Sequence, residues 1–261
     1  MYWLQSVKSH RVDPREAGAN RPLWQVARDA TALVQQHKEI SSIVQIIQSE
    51  IKREFDSYGI DGRLAIPAST HILPIGSNLT AAYVFRLGPF PTDMIVVNSN
   101  RMSELASDNT RLRMSIAHEL SHRFRIGPGG KANPDNYNDP VEEAIANIAG
   151  FKIARYGKTR ILKKAMRMYE AFRNVVEQVA DFGTFDKRTM EMLERREGYF
   201  LGAVAALEHE RIGRRHLGEM LSEKDSEALR AELKSIARSS VNGRDLVSLW
   251  GECVKLVLSS M

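Results

Sequence analysis

Two histidines four residues apart, His118 and His122, with a glutamate directly after the first, constrain this 261-residue chain more than any other feature. On an α-helix a spacing of four leaves two side chains about 40° apart around the axis, so both imidazoles point the same way and can share one metal ion. Glu119 stands about 100° round from His118. A chain that uses these residues must place a helix here, bury its other side, and bring at least one further ligand from a separate element. The stretch from Arg111 to Phe124 supplies such a helix. Leu112, Ile116, Ala117, Leu120 and Phe124 fall on the side opposite the histidines, at the spacing of a buried face. The bland alternative is a pair of ordinary histidines on an amphipathic helix, but the apolar face requires neither of them and nothing structural requires Glu119.

The further ligand is sought downstream. A Gly/Pro/Asn-rich loop runs from Gly127-Pro128-Gly129-Gly130 to Asn138, and a second helix starts after it. Asp139 is a good N-cap, Pro140 suits the first helical position, and Glu142 stands three after the cap, where it completes a capping box. Glu142 therefore has a structural task and Glu143 is left to be the ligand. Asn147 and Gly150, with Ala146 and Ala154, share the face of Glu143. A glycine inside a helix costs about 1 kcal/mol relative to alanine, so Gly150 predicts close approach of another backbone, that of the histidine helix. Asn147 is then placed to steady a ligating side chain. Three protein ligands with a fourth position for water is the pattern of catalytic zinc, and Glu119 suits the general base that acts on that water.

Three pieces in order, Ile95-Val96-Val97-Asn98, then Arg111 through His122, then Glu143-x-x-Ala146-Asn147, resemble the ImmA/IrrE family of zinc metallopeptidases. The resemblance covers roughly residues 60–155. It implies a gluzincin-type site with His118, His122 and Glu143 on Zn2+ and Glu119 as catalytic base. It also implies a protein substrate, a helix-turn-helix repressor cleaved in a stress or mobile-element response. Ser121 stands where the family often has Gly, and Phe151-Lys152-Ile153-Ala154-Arg155 replaces its usual continuation. A donor to the tetrahedral oxyanion is sought in Tyr137, in the loop before the ligand helix, and in His71; each also has a structural reading.

The rest of the chain gives the setting. Apolar residues from Pro22 to Phe55 recur at helical spacing, in one long helix or two broken near Ile40-Ser41-Ser42. Residues 64–73, 81–87 and 94–97 are short, β-branched or aromatic, and separated by Pro/Gly/Asn clusters, which predicts a small, mostly antiparallel sheet. From Gly157 onward the pattern is helical: roughly 158–181, 187–210, 213–221, 223–238 and 243–259. The expected fold class is α+β, a zincin-like core with an active-site helix and a helical C-terminal region. The expected segments are 1–57 as scaffold, 58–156 as metallopeptidase core and 157–261 as the helical remainder. Lys158, Arg160, Lys163, Lys164 and Arg167 form a cationic face, normally solvated. The Val247, Trp250, Val254 and Val257 stripe reads as core.

No apolar run reaches membrane-spanning length, the polar start has no secretory core, and Cys253 is the only cysteine, so a cytoplasmic protein is expected. A net charge of +5 permits contact with nucleic acid without requiring it. Two other function classes fit these residues. One is a metal-holding binding or regulatory module with little turnover, the other a nucleic-acid-associated regulator that uses the basic helical half.

Overall fold

The computed structural model describes residues 23–73, 80–87, 90–101, 109–130, 139–182, 187–208 and 214–239, with 248, 251, 252 and 255. It is α+β and mostly helical, with seven α-helices and one three-stranded sheet among the described residues.

Helix α1, Leu23–Ser57, is continuous over 35 residues. Ile40, Val44, Ile47, Ile51 and Phe55 are buried at spacings of three and four, so one stripe holds it to the body. Ser42 leaves it unbroken: its hydroxyl donates to the Lys38 carbonyl one turn back (3.0 Å). After the turn at Gly59, whose φ is +80°, a short 3-10 turn covers Gly62–Ala65. Leu64 and Ala65, expected in the first strand, lie in that turn because the Asp61 carboxylate accepts the Arg63 N–H and caps it.

Strand β1 is Ser69–Leu73, β2 Ala81–Leu87 and β3 Phe90–Asn98. Their order is β1-β3-β2. β2 and β3 form an antiparallel hairpin, Ala81 opposite Val97 and Leu87 opposite Phe90, while β1 runs parallel to β3 with Ser69 opposite Met94. The sheet is therefore mixed, not mostly antiparallel. A meander would have paired every neighbour antiparallel. Here β3 inserts between β1 and β2, and its run Ile95-Val96-Val97, buried throughout, is suited to the central position.

The remaining helices are α2 (Asn109–Ile126), α3 (Pro140–Ile153), α4 (Lys158–Phe182), α5 (Lys187–Leu207), α6 (Arg214–Ser222) and α7 (Ser226–Ser239). Helix α3 is buried from Pro140 to Phe151, as its apolar and small residues on every side require. Helix α2 packs on one flank of it and α5 on the other. Gly198 and Gly202 of α5 make that approach possible, since a Cβ at either would overlap the α3 backbone at Pro140 or Ala144. One hydrophobic core runs from Ile40 to Ala237 and draws on all three expected segments. Among the described residues no helix is long and apolar enough to cross a membrane. The helix expected over 243–259, with its Val247, Trp250, Val254 and Val257 stripe and Cys253, lies outside the described residues except for the helical 248, 251, 252 and 255.

Candidate metal centre

Helix α2 buries Leu112, Ile116, Ala117, Leu120 and Phe124 against α1 and the sheet, and turns His118 and His122 toward α3. There Asp139 caps α3, its side chain accepting the Val141 N–H (2.9 Å), and Pro140 follows at the first helical position. That fixed start sets Glu143 on the inner side of the first turn. Four residues beyond Ala146, Gly150 brings the two helices together. A Cβ there would lie 3.0 Å from the Met114 carbonyl oxygen and 3.4 Å from His118 Cβ. The close approach expected of this glycine is thus met by the histidine helix itself.

The three side chains converge. His118 Nε2 and His122 Nε2 are 3.1 Å apart, and Glu143 Oε2 lies 3.2 Å from the first and 3.6 Å from the second. A tetrahedral ion with bonds of about 2.05 Å holds its ligands roughly 3.3–3.4 Å from one another, so this donor set fits a zinc-sized cation. All three residues are buried, Glu143 to 1% exposure, and together they could hold a metal ion. Burial alone opposes ionisation of Glu143, yet hydrogen bonds and charge from the two imidazoles hold its carboxyl well below the usual range. Burial likewise pushes His122 down, and it is outweighed by Glu143, with Glu119 and Glu142 behind it, which hold the imidazole above its ordinary value.

Glu119 is only half-buried and is directed to the sheet, where its Oε2 accepts the Tyr83 N–H of β2 at 2.7 Å. Tyr83 is itself held. Its hydroxyl donates to Asp93 Oδ1 (3.0 Å), and Asp93 pairs with Arg123 Nε at 2.6 Å. Arg123 donates further to the carbonyls of Leu64 (2.7 Å) and Pro128 (3.1 Å). Burial and the adjacent Asp93 carboxylate push the Tyr83 phenol far up, so it stays a donor. The strand that meets Glu119 is therefore tied to α2 by a partly buried polar network.

Glu142 has a different role from the capping box expected of it. Both carboxylate oxygens are taken by Arg125 of α2, Nε to Oε2 at 2.6 Å and Nη2 to Oε1 at 2.7 Å. Arg125 Nη1 donates to the carbonyls of Met220, Leu221 and Glu223 at the end of α6, at 3.2, 2.9 and 2.9 Å. One fully buried guanidinium thus ties α2, α3 and the exit of α6.

Asn147 sits on the expected face and is fully buried, and neither atom of its carboxamide has a hydrogen-bond partner among the described residues. Helix α5 sets its position: a Cβ on Gly202 would lie 2.9 Å from Asn147 Cβ. His118 Nδ1 is buried and has no hydrogen-bond partner among the described residues. Instead, Tyr199 of α5 stacks on the His118 ring, centroids 5.9 Å apart and planes within 9°. Nothing near the motif announces Tyr199. The one sequence signal is the Gly198/Gly202 spacing beside it, the mark of a helix meant to pack closely.

His71 lies on β1, exposed, with Nε2 3.0 Å from Ser69 Oγ. Because β3 separates β1 from β2, His71 is not brought to the metal ligands. Tyr137 lies outside the described residues. No protein-family model, curated protein or solved structure matches this chain.

Proposed function

We propose that the chain is a zinc-dependent endopeptidase of zincin-like architecture, similar to the ImmA/IrrE family, in which His118, His122 and Glu143 hold the ion. What supports the reading above all is the convergence of two imidazole nitrogens and one carboxylate oxygen at tetrahedral spacing, with another acid on the same helix. Zinc in such a set lowers the pKa of a bound water to about 7 and polarises a carbonyl. Glu119 takes the proton of the attacking water and returns it to the leaving amine. The Tyr83 N–H orients that carboxylate, so base and strand are set relative to each other. β2 is an edge of the sheet, paired on one side by β3, and an extended substrate pairs its main chain with the other side. The substrate on this reading is a specific protein, a helix-turn-helix repressor being the partner that the family resemblance suggests.

A second reading, a metal-holding binding module, draws on the same 2.7 Å bond, which engages the carboxylate of Glu119. One experiment separates the two. Purified protein is assayed for metal by mass spectrometry, then co-expressed with neighbouring transcriptional regulators whose cleavage is followed by peptide mapping. The expected result is about one zinc per chain, lost in Glu143→Ala and kept in Glu119→Gln, with cleavage abolished in both. Zinc retained in Glu143→Ala would remove the ligand assignment. A Glu119→Gln protein that keeps the full biological effect would leave the binding module.

A further inference from the structure

Helix α5 reaches the metal centre from the C-terminal half of the chain. Gly198 lies against the Pro140 carbonyl in the first turn of α3, the turn that carries Glu143, and there is no room for a Cβ between them. Arg230 of α7 adds a charged bracket, its Nη2 3.4 Å from Asp139 at the cap of α3 and its Nη1 3.8 Å from Glu197 of α5. Tyr199 follows directly on these two anchored residues. Its ring lies parallel to that of His118, centroids 5.9 Å apart and planes within 9°. The His118 ring also meets that of His122 edge to face, at 4.7 Å and 82°.

A ligating imidazole can turn about its Cβ–Cγ bond, a torsion with broad minima, and each turn swings Nε2 off the line to an ion. Ligating histidines are usually steadied by a hydrogen bond from the second ring nitrogen. His118 Nδ1 has no such partner among the described residues, so packing sets the plane of this ring. Gly150 brings α3 against the Cβ end of the side chain, and the face of Tyr199 limits rotation of the ring itself. That face also favours the loaded state. An imidazole that shares its Nε2 lone pair with a cation is electron-poor, and the negative face of a phenol ring attracts it. We infer that Tyr199 is a positioning residue for the metal, holding His118 in the plane in which Nε2 meets the ion, so that the C-terminal helices are part of the metal centre. This rests on the reading of His118, His122 and Glu143 as metal ligands and adds to it a residue outside the two helices that carry them.

The test reads metal binding on the full chain rather than turnover. Zinc affinity is measured by competition with a chromogenic chelator, ligand geometry by the visible bands of the Co2+-loaded protein, and fold by urea unfolding of the metal-free protein. Tyr199→Phe keeps the ring and is expected to match wild type in affinity and spectrum. Tyr199→Leu keeps apolar bulk without a flat face. It is expected to bind zinc roughly 10- to 100-fold more weakly, the usual cost of removing the support of a ligand, with altered Co2+ bands. Tyr199→Met takes its place should the leucine variant not fold. Val204→Ala, at a buried position further along α5, loses stability through packing alone and is expected to keep both metal readouts. Wild-type affinity and spectrum in Tyr199→Leu would overturn the inference and leave the ligand set standing. A loss in Tyr199→Phe as deep as that in Tyr199→Leu would assign the effect to the hydroxyl and overturn the role of the ring face. The same loss in Val204→Ala would assign it to the packing of α5 as a whole and overturn the role of Tyr199. A wild-type chain that binds neither Zn2+ nor Co2+ would remove the ligand set and this inference with it.

Discussion

Replacing Glu142 by alanine separates a residue that only favours a helix start from one half of a buried ion pair. As a cap or a favourable charge in the first turn, Glu142 would contribute about 1 kcal/mol or less. In the structure it faces Arg125, both side chains at or below 1% exposure, in a two-point contact at 2.6 and 2.7 Å. Removing one partner of such a pair leaves the other charge buried and uncompensated, a loss of about 3–5 kcal/mol. Set against the roughly 5–15 kcal/mol that holds a typical domain together, that is a large share. It corresponds to a fall in melting temperature of roughly 6–20 °C for a chain of this size. Urea unfolding at pH 7, with the slope checked for constancy, measures it. The double variant Arg125→Met, Glu142→Met adds a second condition. It removes the stranded charge but also withdraws the donor from the carbonyls of Met220, Leu221 and Glu223, so it should recover part of the loss and not all of it. A Glu142→Ala protein within about 1 kcal/mol of wild type would refute the reasoning.

Two further outcomes follow from close packing and burial. Gly150→Ala places a methyl group 3.0 Å from the Met114 carbonyl oxygen and 3.4 Å from His118 Cβ, so α2 and α3 must part slightly; stability should fall by about 1–3 kcal/mol, and affinity for the proposed zinc should fall with it, read by competition with a chromogenic chelator. For Lys164, whose pKa drops from 10.5 to about 8, the unfolded chain holds more protons between those values, so stability rises with pH across that window. Below about pH 8 the burden is about 3 kcal/mol, so Lys164→Met should exceed wild type there by up to that amount and converge with it near pH 10.5. A difference that does not vary with pH would contradict the buried cation.

The helices are legible in the sequence because their determinants are local. The 3.6-residue recurrence of Ile40, Val44, Ile47, Ile51 and Phe55, the Asp139-Pro140 start, and the i, i+4 pair His118/His122 all act within one or two turns. So is Gly150, since a helical glycine needs a nearby backbone to account for it, and the histidine helix lies close in sequence. The structure brings Glu143, not Glu142, to the two imidazoles, and what occupies Glu142 is not the expected capping box. A capping box is a local pattern, and the side chain that takes Glu142 lies 17 residues away on another helix.

What the tertiary structure decided depends on contacts that no local pattern encodes. Strand order is one: the same three segments would make a meander unless β3 entered between the others, and that insertion puts β2 on the edge facing Glu119 and His71 on the far side. Tyr199 is another, carried to His118 by a helix some 80 positions downstream because two glycines let α5 settle on α3. Lys164 is the last. Along the chain it is one cation in a solvated run, and only the packing of α4 over Met114 and Phe151 turns it inward. Periodicity fixes which way a side chain leaves its own helix, whereas what it meets is set by how the helices and strands pack around one core.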